Sequence, residues 1–206
     1  MGEARVTLKM PSKLPVGYTE LEYIESTGTQ YINTGLNASA GYKVTSELLS
    51  TYASTWILFW GRQTTTSGAN SDFIGYGNRT TMIIASYGGV QFGDIIFSLN
   101  AWHTVEGSSV TGDRYLKVDG TKVTNAGTGA NSGLNMYLFG INNAGNPNNY
   151  SKIKVKYFQI YDSSNVLVRD FIPCINPSNQ VGMYDLVSKQ FFGNSGTGSF
   201  IAGPPK

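Results

Sequence analysis

Ala101 to Thr124, AWHTVEGSSVTGDRYLKVDGTKVT, decides the fold. Trp102-His103-Thr104-Val105-Glu106 reads as a first strand, Arg114 to Val118 as a second, and Thr121 to Thr124 as a third. Thr111-Gly112-Asp113 turns the chain once and Asp119-Gly120 turns it again. Asp-Gly between alternating segments is a strong short-range hairpin signal, because a type I′ turn needs positive φ at both central positions. The stretch therefore predicts an antiparallel meander.

The same grammar extends in both directions. Leu21 to Glu25 and Gln30 to Thr34 alternate around Ser26-Thr27-Gly28-Thr29, which predicts a hairpin or a bent edge strand. Tyr42 to Leu48 also has a period of two. Thr55-Trp56-Ile57-Leu58-Phe59-Trp60-Gly61 is apolar almost throughout, as in a strand buried on both faces. One of its faces would be core, and the other a groove or a covered surface. Runs at 72–77, 81–87, 90–92 and 95–97 follow, separated by Gly and Asn clusters. Leu134 to Ile141 predicts a further strand, Asn142 to Asn149 is the most polar loop, and Ile153 to Tyr161 with Val166 to Ile172 predicts a hairpin about Asp162-Ser163-Ser164-Asn165. No segment sustains a 3.6-residue apolar period. Many short strands at near-regular spacing indicate a single all-β domain, an antiparallel two-sheet sandwich.

Composition narrows the function classes. At 206 residues the chain fits one sandwich domain, and charged residues make up only 14%, against roughly 25% in an average globular protein. The surface is then built largely from Asn, Ser, Thr, Gly and Tyr, which suits contact with neutral sugars. A formal net charge of +2 without a Lys/Arg stripe argues against nucleic acid. No apolar run approaches the roughly 20 residues of a membrane-spanning helix, so no membrane insertion is expected. One cysteine, Cys174, excludes an intrachain disulfide, and one histidine, His103, excludes a His-rich metal site. Residues 1–13 lack the apolar core of a secretory signal and read as a linker or cloning-derived segment. The domain is expected over 14–203, with 204–206 as a tail.

The central meander, with its Trp-His-x-Val strand and its aliphatic strand ending Val118-Asp119-Gly120, resembles the laminin G-like and pentraxin-like modules of the concanavalin A-like lectin/glucanase superfamily. Leu138-Phe139-Gly140-Ile141 followed by Ile153 to Tyr161 is similar to the laminin G-like pattern. Leu14 to Gly35 and Val168 to Gly203 resemble brackets found in modules appended to phage tail and gut-bacterial surface proteins. The resemblance implies a jelly roll over about residues 14 to 203 and a place on a virion, outside the cell or at the cell surface. It does not choose among lectins, protein-binding modules and glucanases.

Catalysis finds little support. The glucanases of this fold carry Glu-x-Asp-x-Glu or Glu-x-Asp-x-x-Glu arrays, because alternate strand residues share a face and a retaining pair sits roughly 5 Å apart. No such array occurs here. Glu20, Glu22 and Glu25 read as a solvated edge that discourages strand addition, and His103 reads as a strand residue. Binding is the better expectation: aromatic faces for sugar C–H surfaces, with Asn, Asp and Arg for hydroxyls. The candidates are Trp60, Arg62, Asp72, Tyr76, Asn78, Arg79 and Tyr87, together with Asn142, Asn143 and Asn149 of the polar loop. Against this stands the reading of Trp56, Trp60 and Tyr76 as core. No cofactor is expected. Calcium, common in the domains this chain resembles, would need six to eight oxygen ligands, and Asp72, Asp94 and Asp113 are scattered. The sequence thus predicts a non-catalytic module binding a glycan or a protein receptor on a cell surface. A structural, self-associating module of a tail or surface assembly is the alternative, and a glycan-cleaving enzyme the weaker one.

Overall fold

A computed structural model describes residues 13–37, 40–64, 70–127, 130 and 132–206. The described residues contain no helix and form two sheets that pack face to face as a β-sandwich. The 11-stranded sheet runs, from one edge, Thr121–Asn125, Arg114–Val118, Trp102–Ser108, Tyr42–Ser50, Ile153–Asp162, Leu167–Ile175, Val181–Asp185 and Gln190–Phe192, with three two-residue strands at its margin. The 8-stranded sheet runs Asn146–Asn148, Ile141–Asn143, Ile57–Gln63, Asp72–Tyr76, Met82–Tyr87 and Val90–Ile96, with Ile32–Asn33 and Tyr137–Leu138 beside it. Pairing is antiparallel except between Ile141–Asn143 and Ile57–Gln63, which are parallel.

The meander forms as the sequence predicts. Val118 pairs with Thr121 across a two-residue turn in which Asp119 and Gly120 have φ of 47° and 90°. Positive φ at both positions is the type I′ geometry, whose twist matches that of the flanking strands. The 153–175 hairpin also forms: Asp162 Oδ1 accepts from the backbone N–H of Ser164 at 2.8 Å and of Val166 at 2.9 Å.

Three expectations change. Leu21–Glu25 and Gln30–Thr34 do not pair with each other. Ile24–Glu25 joins the larger sheet, and Ile32–Asn33 joins the smaller. The corner between them is fixed by the buried side chains of Ser26 and Gln30, and Gln30 Oε1 accepts from Thr27 N–H at 2.7 Å. The expected strand over 134–141 is broken at Phe139, whose φ is 71°. The polar loop at 142–149 is itself a small hairpin, turned at Ala144 and Gly145 with φ of 50° and 93°. The last residues are not free: Glu22 N–H donates to Pro204 O at 2.8 Å and Lys206 N–H to Glu20 O at 3.0 Å.

Between the sheets lies one continuous apolar core, including Phe59, Trp60, Tyr76, Val105, Leu116, Phe158 and Phe171. Tyr42–Ser50 shows a strict alternation of buried and half-buried residues, so Val44, Ser46 and Leu48 face inward while Lys43, Thr45, Glu47 and Leu49 face out. Ile57–Gln63 is buried at every position from Leu58 to Arg62. Its far side carries a second apolar cluster of Leu58, Phe73, Ile84 and Ile141. Over these four side chains the surface expected on that side is therefore covered.

Candidate functional site

The structure places most of the sequence candidates inside. Trp60, Tyr76 and Tyr87 are fully buried in the core. Aromatic residues on the inward face of a strand pack against the opposite sheet, and the Trp60 ring lies 5.2 Å from that of Phe158. Arg62 and Asp72 are also fully buried and form an ion pair at 3.0 Å. This pair ties loops together: Arg62 donates to Leu134 O, and the Asp72 carboxylate accepts from Gly88 and Ser132 N–H. Burial pushes the Asp72 carboxyl above its ordinary range, against the opposing pull of the guanidinium and the two N–H groups. Asn142 is buried, donating to Asn135 O and accepting from Gly145 N–H, and Asn143 is half-buried. Asn78 and Arg79 are exposed, with Arg79 paired to Asp94 at 2.8 Å. These residues do not converge on one surface. The aspartates considered for calcium are each in an ion pair, Asp113 with Lys43 at 2.9 Å, and among the described residues no three His, Cys, Asp or Glu side chains gather around a common point.

An open groove of about 500 Å³ lies instead on the outer face of the larger sheet. The register builds its floor. Thr45 pairs with Gln159 and Gln159 with Asp170 on the floor, and Glu106, paired with Thr45 outside the groove's lining, extends the row to four strands. At about 4.8 Å per strand the row is about 14 Å long. A register shift between Val155 and Tyr157 makes room for an extra residue, so Lys156 and Tyr157 both line the groove although they are neighbours in sequence. The lead-in segment covers the adjoining part of this face, where Leu14 and Tyr18 pack on Ile172, Cys174 and Tyr184. Lys13 and the Glu20–Lys206 pair, at 2.9 Å, form the groove's wall.

The groove's charges are largely matched. Lys156 pairs with Glu47 and stacks over the Trp102 ring, and Lys206 pairs with Glu20 at 2.9 Å. Its hydrogen-bonding capacity is not used up. Gln159 Nε2 donates to Asp170 Oδ1 at 3.0 Å, and Gln159 Oε1 accepts from Tyr161 OH at 3.2 Å. An amide has two N–H groups and a carboxylate about four acceptor positions, so a free donor and several free acceptors stand side by side. Burial, followed by the Glu47 and Glu106 carboxylates, raises the pKa of the Tyr157 phenol against a hydrogen bond with Thr45. It is therefore a neutral wall with a hydroxyl to offer. The sequence reading missed this site because each residue looked like an ordinary exposed strand position; only the register lines them up.

Trp56 was also read as core, yet it is 40% exposed and has φ of 59°. A left-handed conformation costs an L-residue about 1–2 kcal/mol. Two loops hold it there: Trp56 N–H donates to Gly77 O at 2.6 Å, and Asn149 Nδ2 donates to Trp56 O at 2.7 Å. Its ring meets Phe73 edge-on at 6.4 Å.

His103 is not isolated either. Its Nδ1 lies 2.6 Å from Asp119 Oδ2, and its Nε2 lies 3.1 Å from Ser98 Oγ. These are the spacings of a hydrolytic triad, and Nε2 is equally close, at 3.1 Å, to the Ser98 main-chain oxygen. A carboxylate only accepts, so Nδ1 donates to Asp119, and Nε2 of a neutral ring is left to accept from the Ser98 hydroxyl, which joins the three side chains in one hydrogen-bonded chain. With Asp119 Oδ1 accepting from Thr104 N–H at 2.9 Å, the group acts as a clamp between the meander turn and the 97–100 segment.

No family model matches the chain, and no curated protein sequence matches it significantly. The fold has a solved neighbour. A protein from Bacteroides ovatus, provisionally assigned as carbohydrate binding, superposes with a TM-score of 0.62 at 11% identity over 90% of this chain. The chain spans 61% of that protein's length. At this identity the likeness concerns architecture, and the sandwich fits a jelly roll.

Proposed function

We propose that the protein is a non-catalytic carbohydrate-recognition module of laminin G-like type, and that the outer groove of the larger sheet is its binding site. The observation that carries this reading is the Thr45–Gln159–Asp170 row beside Tyr157. A vicinal diol donates to a carboxylate and accepts from an amide, and Asp170 and Gln159 present that pair on rigid strands with unused capacity. Internally matched charges favour a neutral or weakly charged sugar, and the tyrosine gives a C–H face a ring to lie on. The fold neighbour's carbohydrate assignment agrees with the reading. The bracketing segments 14–35 and 168–203 support a setting in a phage tail or bacterial surface protein, with a cell-surface glycan as partner. Glycan-array screening followed by calorimetry tests it: wild type binds at least one polysaccharide fraction, and the Q159A/D170A double variant loses at least tenfold in affinity with its fold intact.

One observation favours a second reading, self-assembly. Val90–Ile96 ends the smaller sheet and exposes Val90 and Ile96, the latter at 71%. An apolar edge strand is a template for pairing with another chain. Light scattering separates the readings, since an assembly module is oligomeric and I96K makes it monomeric.

A further inference from the structure

The outer face of the smaller sheet carries aromatic side chains that the main core does not use. Phe73 and Gly61 are directly paired, as are Gly61 and Tyr137. Residues directly opposite one another share a face, so Tyr137 lies on the same outer side as Phe73. From Phe73 the row continues to the Trp56 ring at 6.4 Å. From Tyr137 it continues to Tyr31, stacked at 4.6 Å, and Tyr31 has Tyr150 at 6.3 Å. Two strand spacings put the backbones of Phe73 and Tyr137 about 10 Å apart, so the row from Trp56 to Tyr31 is longer than one sugar ring. Its open members are Trp56, Tyr31 and Tyr150; Phe73 and Tyr137 are buried beneath them.

We propose that this row is a second carbohydrate site, specific for a neutral oligosaccharide, on the side of the sandwich opposite the groove. Half-open rings offer flat faces to sugar C–H surfaces. Amides stand at both ends of the row: Asn33 lies opposite Tyr137, and Asn149 Nδ2 donates to Trp56 O. Arg79, two residues beyond the Gly77 carbonyl that Trp56 N–H bonds, is paired with Asp94, which favours an uncharged occupant. Only glycine would take this left-handed backbone without strain, yet the chain holds a 40% exposed indole there through hydrogen bonds to two separate loops. The site does not depend on the groove, and one module with both would bridge two glycan chains.

The test uses the full chain with the groove disabled, Q159A/D170A, and cello-, xylo-, malto- and chitohexaose as probes, read by tryptophan emission and calorimetry. At least one hexasaccharide is expected to quench or shift the emission and to bind with one site per chain. In the same background W56A and Y31A each lower affinity at least tenfold, while W56F keeps most of it; circular dichroism checks that each variant is folded. The proposal is overturned if no hexasaccharide binds the groove-disabled protein, or if W56A and Y31A bind as well as their parent. Binding by wild type that vanishes entirely in Q159A/D170A would sink this second site and leave the groove reading standing. Loss of affinity only in W56A and Y31A, with Q159A/D170A matching wild type, would do the reverse.

Discussion

The two outer faces of the sandwich are built by opposite rules. On the larger sheet Tyr42–Ser50 alternates, and its outward residues Thr45 and Glu47 join Gln159 and Asp170 in a polar groove. On the smaller sheet Ile57–Gln63 does not alternate, and the outward residues Leu58, Phe73, Ile84 and Ile141 form a second buried layer edged by Trp56. The difference separates two kinds of importance. Changes in the buried layer of Leu58, Phe73, Ile84 and Ile141 should disturb stability first, whereas changes in the groove should disturb binding and leave stability alone.

The sharpest way to break this comparison is to treat the smaller sheet's outer layer as core. Phe73→Ala is expected to cost about 3–5 kcal/mol, as for a buried phenylalanine, whereas Thr45→Ala on the larger sheet's outer face should stay within about 0.5 kcal/mol. Urea unfolding measures both, and equal effects would contradict the contrast. Arg62→Ala leaves Asp72 buried without its ion-pair partner and should destabilise by about 3–5 kcal/mol, detectable as a lower unfolding midpoint. Where the lead-in covers the larger sheet, Cys174 is buried and its thiol is pushed up to about 12. Alkylation by iodoacetamide at pH 8 should therefore be slow in the folded protein and fast in urea, followed by mass spectrometry. Fast labelling of the folded chain would mean that this part of the face is open too. A small effect is also expected of Trp56→Gly. Relief of the left-handed strain offsets the lost Phe73 contact, so stability should move by no more than about 1 kcal/mol.

The legibility of these features follows from their range. Asp119-Gly120 was readable because a type I′ turn is a local demand on φ, and the alternation of Tyr42 to Leu48 was readable because a pleated strand has a period of two. The doubly buried strand was also visible within the Thr55 to Gly61 run, although it begins at Ile57 and leaves Thr55 and Trp56 exposed. Trp60, Tyr76 and Tyr87 were misplaced as candidates because an aromatic residue on a strand looks the same whether it faces the core or the solvent. Arg62 and Asp72 looked like ligand-binding groups because their pairing is made inside the sandwich. Gln159 and Asp170 are 11 residues apart across a hairpin, and Thr45 is 114 residues from Gln159; only the register aligns them. Trp56 was missed because its left-handed backbone depends on Gly77 and Asn149, which come from other parts of the chain.

The central claim is that the Thr45–Gln159–Asp170 row holds a sugar. Calorimetric titration of wild type and Q159A/D170A with a polysaccharide fraction selected on a glycan array tests it most directly. The account predicts saturable binding by wild type, at least tenfold weaker binding by the double variant, and unfolding midpoints that coincide. Equal affinity in the two proteins would contradict it.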